Sequence, residues 1–474
     1  MCRCRSTTQQ SQKHTHKFPA QTVTPIAGPN RVTSLVMQPD FIIDSVSTAQ
    51  PTALDFWDTA RTLGFPTALW RLPNHHDKHL LVSFDKTLPR VSIDLEELPA
   101  GFAISPFDSL DTDRPGASTN NSAHTLFLRA DLHTVFSETN PEQNTMTDDG
   151  VNEEAFQQFR NVLGDGLKRR VNNQNAPVPP TLLPDQQARA QYLHGVAKAV
   201  DSMQRGELRK VVLSRTKRIA FADAPNAVAL FDQLCAAYPA AFVSAVYLPE
   251  TGQIWISATP ERLVSSNADG IFQTVSLAGT QPALEPDGTP KRPANAMWSQ
   301  KEIEEQALVS RYIIECFKRI RLREYLEEGP KTIIAGNLMH LSTSFTVDTQ
   351  AVSYPQLGTV MLRLLHPTSA VCGMPRDRAY SFIKQHETHE REFYAGFLGP
   401  INIGSNDKPS LAYGETYQSA ETNLFVHIRC MKLEGNIGTL YAGAGLTEDS
   451  IPEREWQETE IKCQTLLDVL NKAG

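Results

Sequence analysis

The stretch Phe425-Val-His-Ile-Arg-Cys-Met-Lys-Leu433, followed by Gly438-Thr-Leu-Tyr-Ala442, contains two runs dominated by apolar and β-branched residues. Such runs predict a pair of β-strands, and residues 452–470, which follow them, predict a helix. Residues 241–248 and 254–258 predict a second strand pair. Because strands and helices occur in separate groups, the sequence indicates an α/β (α+β) protein with antiparallel or mixed sheets rather than a doubly wound fold.

The same patterns predict the other elements and divide the chain into three segments. Helices are predicted over residues 52–63, 187–205, 301–328 (ended by Gly329-Pro330) and 376–389, and strands over residues 80–84, 125–132 and 210–215. Residues 137–152 and 172–185 are predicted loops or boundaries. We expect a disordered tail over residues 1–40, an N-terminal half of the fold over 41–180 and the main functional region over 186–474.

The composition is that of a globular protein. The 474 residues are 40% hydrophobic and 21% charged, and the net charge is −8 without a long basic run, so nucleic acid is not an expected partner. No run approaches the ~18 apolar residues of a membrane helix, so a membrane is not expected either. Of the seven cysteines only Cys2 and Cys4 are close together, which indicates a reducing compartment and a cytoplasmic protein.

Two predicted helices carry carboxylates three residues apart. Glu302 and Glu305 share a face of the helix over residues 301–328, and Glu455 and Glu458 share a face of the last helix. Two acidic ridges facing one pocket would bind a hard divalent cation through oxygen, and Mg²⁺ suits that arrangement. Glutamate pairs on helices are more often solvated faces, so the spacing leaves both interpretations open.

Glycines and cations form a second group of candidates. Ala278-Gly279-Thr280 and Gly443-Ala444-Gly445 each follow a strand, where small residues let backbone N–H groups approach a carboxylate, although structural turns also explain them. Arg429 lies in a predicted apolar strand and must be paired or face an anion. Lys462, one turn beyond Glu458, would by itself be a surface lysine.

Three further residues are candidates for acid–base chemistry or binding. Lys210 begins a strand too apolar to be wholly exposed, where an amine can serve as a general base. Glu261 would become a general acid if burial raised its pKa. His340, in Leu338-Met-His-Leu341, is by default a core histidine. Taken singly, each of the three is more often structural.

Taken together and in order, these segments resemble the chorismate-utilising enzymes over about residues 187–470. The motifs that carry the resemblance are Lys210-Val-Val-Leu-Ser-Arg215, Ala258-Thr-Pro-Glu-Arg262, Leu277-Ala-Gly-Thr280, Ser299-Gln-Lys-Glu-Ile-Glu-Glu305, His340-Leu341, Leu365-His-Pro-Thr-Ser-Ala-Val-Cys-Gly373, Tyr394-Ala-Gly396, Ile428-Arg-Cys430, Ala442-Gly-Ala-Gly445 and Glu455-Trp-Gln-Glu-Thr459.

The resemblance implies a single large domain, with stacked antiparallel sheets inside flanking helices, that binds the dianion chorismate. By position, Lys210 resembles the base that activates water at C2, and Glu261 the acid that protonates the departing C4 hydroxyl. Glu305 and Glu455 resemble Mg²⁺ ligands, with Glu302 and Glu458 holding metal-bound waters. The implied substrate-binding positions are Ala278, Gly279, Thr280, His340, Ala370, Tyr394, Arg429, Gly443, Ala444, Gly445 and Lys462.

Single positions favour isochorismate synthases within that family. Ala278 stands where aminodeoxychorismate synthases place a nucleophilic lysine, Lys210 where anthranilate synthases have Gln, and Ala370 where salicylate synthases tend to carry Thr. We therefore expect Mg²⁺-dependent, reversible formation of isochorismate, for menaquinone or catechol siderophore biosynthesis, by a monomer without a glutaminase subunit. The alternatives are a salicylate synthase or a chorismate-binding protein without turnover. Gln306 and Leu398-Gly-Pro400 depart from the family's usual His and Gly-Trp.

Overall fold

The fold is known from a computed structural model that describes residues 50–108, 124–137, 145–148, 152–168, 179–285, 289–335, 338–412 and 415–472. These residues all belong to one compact unit. The tail predicted over residues 1–40 lies outside the described residues.

Helices and two antiparallel sheets make up the described chain. The eight helices in it are α1 (Ala53–Leu63), α2 (Glu153–Lys168), α3 (Ala188–Gln204), α4 (Ala227–Ala237), α5 (Gln300–Arg319), α6 (Leu357–Leu365), α7 (Arg376–His386) and α8 (Pro452–Lys472). In spatial order, the first sheet contains β16 (Gly373–Met374), β9 (Lys210–Ala220), β21 (Ile437–Leu446), β20 (Cys430–Glu434), β11 (Gln253–Thr259), β10 (Phe242–Leu248), β1 (Thr67–Arg71), β2 (Lys78–Val82), β6 (Leu132–Phe136) and β7 (Thr145–Asp148), with β8 (Thr181–Leu183) also paired to β9. The second contains β14 (Leu326–Ala335), β15 (Leu338–Asp348), β13 (Ile271–Pro282), β12 (Arg262–Ser266), β19 (Glu415–Val426), β17 (Phe397–Ile401), β4 (Gly101–Ser105), β5 (Thr125–Arg129) and β3 (Arg90–Val91), with β18 (Ile403–Ala412) also paired to β19.

The two sheets stack on each other around a shared apolar core. Phe242 of β10 and Phe425 of β19 face each other across the sheets with parallel rings, their centroids 4.2 Å apart. A second cluster packs the other face of the first sheet against α1, α2, α4 and α8, and includes Phe56, Phe231 and Leu466. Each fully buried side chain of this size contributes about 1.5–3 kcal/mol of transfer free energy. The predicted class, stacked antiparallel sheets with flanking helices, is confirmed.

The helix predicted over residues 301–328 is too long. It ends at Arg319, and Arg321 adopts φ 60°. Leu326 then starts β14, whose pairing with β15 shifts register between Glu328 and Lys331, around Gly329-Pro330. Arg, Leu and Glu residues suit a helix locally, but pairing with β15, the next strand in the chain, decides the conformation from Leu326 onward.

Other predicted boundaries differ less. The strand predicted over residues 125–132 divides into β5 and β6, which belong to different sheets. The helix predicted over residues 376–389 ends at His386, so the residues that follow it are irregular backbone. Among the described residues, no helix is long and apolar enough to cross a bilayer. The five cysteines in them are buried and free, as the predicted lack of a disulfide framework requires.

Candidate active site

Lys210 and Glu305 form a buried ion pair at the start of β9. The Lys210 side chain is fully buried, and its Nζ donates to Glu305 Oε1 of α5 at 2.8 Å. Burial raises the pKa of Glu305, but the charge of Lys210 and this hydrogen bond outweigh burial, so the pKa lies below its usual range. Gly445 of β21 leaves room for the pair, because a Cβ there would lie 2.5 Å from Glu305 Oε1 and 3.3 Å from Lys210 Cε. The absence of a side chain at Gly445 therefore allows Lys210 and Glu305 to pack against β21.

Glu261 lies buried in the connection between β11 and β12. Its backbone N–H donates to Thr259 Oγ1 at 3.3 Å. Burial raises the pKa of Glu261 to about 7, although the positive charges of Lys210, Arg429 and Lys462 lower it. A carboxyl that keeps its proton near neutral pH can act as a general acid.

The sequence predicts that Arg429 lies within a strand. It lies instead in the break between β19 and β20. It adopts φ 50°, a conformation that a non-glycine residue holds only under constraint from its surroundings. The residue is 9% exposed, its side chain makes neither a hydrogen bond nor an ion pair with the described residues, and burial lowers its pKa. Leaving a buried guanidinium without a partner is costly, so this position is suited to an anionic ligand.

Lys462 is not a surface lysine. Its side chain is largely buried between α8 and β21, where Nζ donates to the Gly443 carbonyl at 2.8 Å. The same nitrogen pairs with Glu458 Oε1, one helical turn away, at 2.7 Å. Lys462 therefore ties α8 to the glycine segment of β21.

His340 and the segment Ala278-Gly279-Thr280 lie together on adjacent strands. Gly279 adopts φ 69°, and the pairing of β13 with β15 shifts register just after Ala278. His340 Nδ1 lies 2.7 Å from the Gly279 carbonyl, which assigns the proton to this nitrogen. His340 Nε2 is then a buried acceptor without a hydrogen-bond partner in the described chain. Burial lowers the pKa of His340 to about 3, so the ring is neutral.

Tyr394 lies against β21. A Cβ on Gly443 would lie 2.9 Å from the Tyr394 hydroxyl, and burial raises the pKa of this phenol. Ala444, between the two glycines, is fully buried in the core shared by the sheets. Ala370 is half-buried in the connection between α6 and β16.

The glutamates predicted to hold Mg²⁺ each have a nearby donor. Glu302 accepts from the Ser299 N–H at 2.7 Å in a capping box at the start of α5, and Glu305 and Glu458 pair with the lysines described above. Within the described part of the chain, no three carboxylate, imidazole or thiol side chains converge closely enough to hold a metal ion. The structure brings these glutamates to the same region without assembling a four-carboxylate cluster.

Glu455 is 2% exposed, and its two oxygens differ. Lys301 Nζ lies 2.7 Å from Oε1, whereas Oε2 is buried and has no hydrogen-bond partner among the described residues. Burial raises the pKa of Glu455 against the charge of Lys301. Burial lowers the pKa of Lys301, but Glu455, Glu458 and Glu305 outweigh burial and raise it. Lys301 thus contacts Glu455 directly, and the charges of Glu458 and Glu305 also act on its ammonium group.

Residues 130–471 match the family model described as chorismate binding enzyme. The chain belongs to this family. The match contains every residue of the site described above, and it begins within the N-terminal half of the fold.

Individual relatives of this chorismate-binding enzyme agree with the family match. The vibriobactin-specific isochorismate synthase of Vibrio cholerae is 30% identical over 279 residues, 58% of this chain and 66% of the relative. Isochorismate synthase EntC of Escherichia coli (strain K12) is 31% identical over 276 residues, 58% of this chain and 65% of the relative. The chain therefore spans just under two thirds of the length of these curated relatives. The solved structure of MenF, the menaquinone-specific isochorismate synthase from Escherichia coli, shares the fold with a TM-score of 0.64 at 21% identity, over 89% of this chain and 92% of that one.

Two cavities in this chorismate-binding enzyme border the charged residues. Lys301 and Glu305 line a cavity of about 540 Å³. Thr280 and Glu458 line another of about 400 Å³, with Ile461 among its apolar residues. Volumes of this size accommodate a small organic substrate.

Arg215 anchors α8 to β9, a role that sequence reasoning does not assign. Its Nε donates to Thr459 Oγ1 at 2.7 Å, and its guanidinium lies 3.8 Å from the centroid of the Trp456 ring and pairs with Glu460. Lys217 pairs with the same glutamate at 2.6 Å. An arginine in the predicted strand was visible in the sequence, but its partners lie more than 240 residues away.

Gln306, which departs from the usual histidine of the family, has a structural role. Its Nε2 donates to Ser276 Oγ at 2.8 Å and to Thr343 Oγ1 at 3.0 Å, so it ties α5 to β13 and β15. Lys301 is the other residue that the sequence analysis leaves without a role, although it lies inside one of the quoted motifs.

Proposed function

We propose that this chorismate-binding enzyme is an isochorismate synthase, which converts chorismate reversibly into isochorismate in the presence of Mg²⁺. One observation carries the proposal: a buried lysine, Lys210, shares a site with a buried carboxyl, Glu261, whose pKa is raised to about 7. A paired base and acid are what the addition of water with loss of a hydroxyl requires. The names of the curated relatives support the same reaction.

In the proposed reaction, water attacks C2 of chorismate, the ring double bonds shift, and the bond between C4 and its hydroxyl breaks. Lys210 Nζ accepts the proton of the attacking water, and it must first give up the proton that it donates to Glu305 in the ion pair. Glu261 gives its proton to the leaving hydroxyl, which departs as water. One water is consumed and one is released, so the reaction is a reversible isomerisation.

The substrate is a dianion, and its carboxylates need positive partners. Arg429 supports this assignment because its guanidinium is buried without a partner in the described chain. Lys462 adds a second positive charge beside β21. Tyr394 and His340 contribute a hydroxyl and a neutral ring nitrogen, both suited to orienting the ring and its side group.

The site contains carboxylate oxygens of the kind that Mg²⁺ prefers, although no three of them converge among the described residues. Glu305 and Glu455 would bind the ion, and Glu302 and Glu458 would hold its water ligands; the buried Glu455 Oε2 without a hydrogen-bond partner supports this assignment. When bound, Mg²⁺ neutralises the ring carboxylate of chorismate.

The experiment is chromatography of the purified protein incubated with chorismate and Mg²⁺, alongside a sample containing a chelator, with fluorescence detection for salicylate. We expect isochorismate to appear and to reach a plateau with chorismate remaining, and no product in the chelated sample. Turnover that survives chelation would overturn the role of the metal.

Other products would assign other functions. Salicylate and pyruvate at neutral pH would identify a salicylate synthase and remove the significance of Ala370. Chorismate binding without any product would identify a binding protein. The single-chain state without a glutaminase subunit is tested in the same preparation by light scattering, where a larger mass would contradict it.

A further inference from the structure

Glu387 and Arg391 form a buried ion pair in the irregular segment after α7. Both side chains are 3% exposed, and the contact is bidentate, with Arg391 NH2 to Glu387 Oε1 at 2.6 Å and Nε to Oε2 at 2.8 Å. The pair stands four residues apart in sequence but outside any helix. A buried ion pair on irregular backbone needs further hydrogen bonds to offset its desolvation.

Those further hydrogen bonds reach two other segments. Arg391 NH1 donates to the Val371 carbonyl at 2.8 Å, and NH2 donates to the Val212 carbonyl at 2.7 Å. Glu387 Oε1 accepts from Ser214, both from its N–H at 2.6 Å and from its Oγ at 2.8 Å. The pair therefore joins strand β9 to the connection between α6 and β16.

Each connected segment carries a residue of the chorismate site. Val212 and Ser214 follow Lys210 on β9 and pair with Gly445 and Gly443. Val371 follows Ala370 directly.

The pair also holds the position of Tyr394. The Arg391 guanidinium lies 5.7 Å from the Tyr394 ring and 4.3 Å from the Phe107 ring, and the Tyr394 N–H donates to the Arg391 carbonyl at 2.8 Å. One buried ion pair thus connects three segments that carry candidate site residues: β9, the α6–β16 connection and the segment containing Tyr394. We call these three segments the walls of the site.

We propose that Glu387 and Arg391 are positioning residues that set the spacing of these three walls and thereby the affinity for chorismate. The identity of the ligand rests on the proposed function. Neither residue has a hydrogen bond or ion pair with Lys210, Glu261 or Glu305. The pair therefore acts on substrate binding more than on the acid and base.

The test is the double variant Glu387→Gln/Arg391→Met, which removes both charges and so leaves no buried charge unpaired. We expect KM for chorismate to rise at least tenfold while kcat changes less than threefold. The matched control is Lys384→Met/Glu390→Gln, which removes the exposed ion pairs that Lys384 of α7 makes with Glu390 and Asp108 and should leave both constants unchanged. Arg391→Lys keeps the charge but replaces three donating nitrogens with one, and should by itself raise KM.

A second measurement does not depend on turnover. In the double variant, amide hydrogen exchange in peptides covering residues 366–373 should accelerate at least tenfold, while peptides of α4 remain as in the wild type. If the double variant fails to fold, Ser214→Ala removes one hydroxyl contact and should raise KM about threefold, with faster exchange in the same peptides.

The outcomes separate this proposal from the proposed function. The positioning role would be overturned if the double variant had a lower melting temperature but unchanged KM and unchanged exchange. A wild-type KM in Arg391→Lys would also overturn it. A wild-type protein that does not convert chorismate would overturn the proposed function, and faster exchange at residues 366–373 would then still support the linkage between the walls.

Discussion

Glu261 holds its proton because burial disfavours the carboxylate, and this has a cost in stability. The pKa of a glutamate is about 4.3 in an unfolded chain and about 7 for Glu261 in the folded protein. The unfolded state therefore loses its proton first as the pH rises, and the folded state loses stability between about pH 4.5 and pH 7.

Glu261→Gln removes this titration. Since glutamine cannot ionise, the variant should gain about 1–2 kcal/mol relative to the wild type between pH 5.5 and pH 8.5. Urea unfolding at the two pH values measures the difference. An equal pH dependence in both proteins would show that the pKa of Glu261 is not raised.

The same variant should lose about 10²–10⁴-fold in kcat if Glu261 is the general acid.

The Lys210–Glu305 ion pair leaves no space for a side chain at position 445, where the residue is glycine. In Gly445→Ala the new Cβ would lie 2.5 Å from Glu305 Oε1, and the flexible end of the glutamate, rather than the backbone, must move. We expect a loss of about 10- to 100-fold in kcat/KM with little change in melting temperature. Gly164→Ala, on α2 with open space around it, is the control and should keep full activity. A fully active Gly445→Ala protein would contradict the need for this ion pair.

The sequence nominates candidate residues for the site but not the ion pairs between them. Lys210 and Glu261 stand out because a charged residue in an apolar segment needs a partner, and only the resemblance to the family suggests a role for each. That Lys301 approaches Glu455, or that Glu302 caps its own helix, depends on how α5 and α8 pack. No local pattern contains that packing.

Among the elements, α8 carries three candidate site residues, Glu455, Glu458 and Lys462, and Arg215 anchors this helix to β9. Arg215→Met removes the hydrogen bond to Thr459, the ion pair with Glu460 and the contact with Trp456, while Lys217 still pairs with the glutamate. We expect a loss of about 2–4 kcal/mol in the free energy of unfolding and a higher Mg²⁺ concentration for half-maximal activity. Urea unfolding and a Mg²⁺ titration measure the two effects.

The control for this variant lies on the same strand. Arg218 is exposed on β9, and Arg218→Met should change stability by less than about 0.5 kcal/mol. Equal effects of the two variants would mean that the buried contacts of Arg215 do not hold α8.

At the same scale, helix ends show where sequence reasoning fails. Residues 320–328 contain Arg, Leu and Glu, which suit a helix, yet Leu326 begins β14 because β15 supplies its partner. Arg429 likewise interrupts a largely apolar run, at φ 50°. In the first case, pairing with the next strand overrides the local preference for a helix.

At the scale of the whole molecule, the site lies where both sheets and two helices meet. The first sheet supplies Lys210 and the glycines of β21, the second supplies the strands of Gly279 and His340, and α5 and α8 supply the carboxylates. The fold class was predictable from the grouping of strands. Which sheet each strand joins was not, since β5 and β6 are neighbours in sequence but belong to different sheets.

Because the carboxylates come from two separate helices, Mg²⁺ should stabilise the folded protein and not the unfolded chain. A ligand at 100 times its Kd adds about 2.7 kcal/mol to the free energy of unfolding. We therefore expect the urea midpoint of the wild type to rise with Mg²⁺ and to return after chelation. Glu455→Gln should abolish the rise, while Glu453→Gln, an exposed change on the same helix, should retain it.

Lys301→Met gives the sharpest form of this prediction. The ammonium of Lys301 occupies Glu455 Oε1 at 2.7 Å, so it competes with the cation for the same carboxylate. Removing it should lower the Mg²⁺ concentration at which the stabilisation is half-maximal, although the protein without metal becomes less stable because Glu455 loses its partner. Calorimetric titration with Mg²⁺ alone measures the affinity without any turnover. A wild-type protein whose stability does not respond to Mg²⁺ would contradict the assignment of these glutamates, and unchanged affinity in Lys301→Met would show that lysine and metal occupy different places.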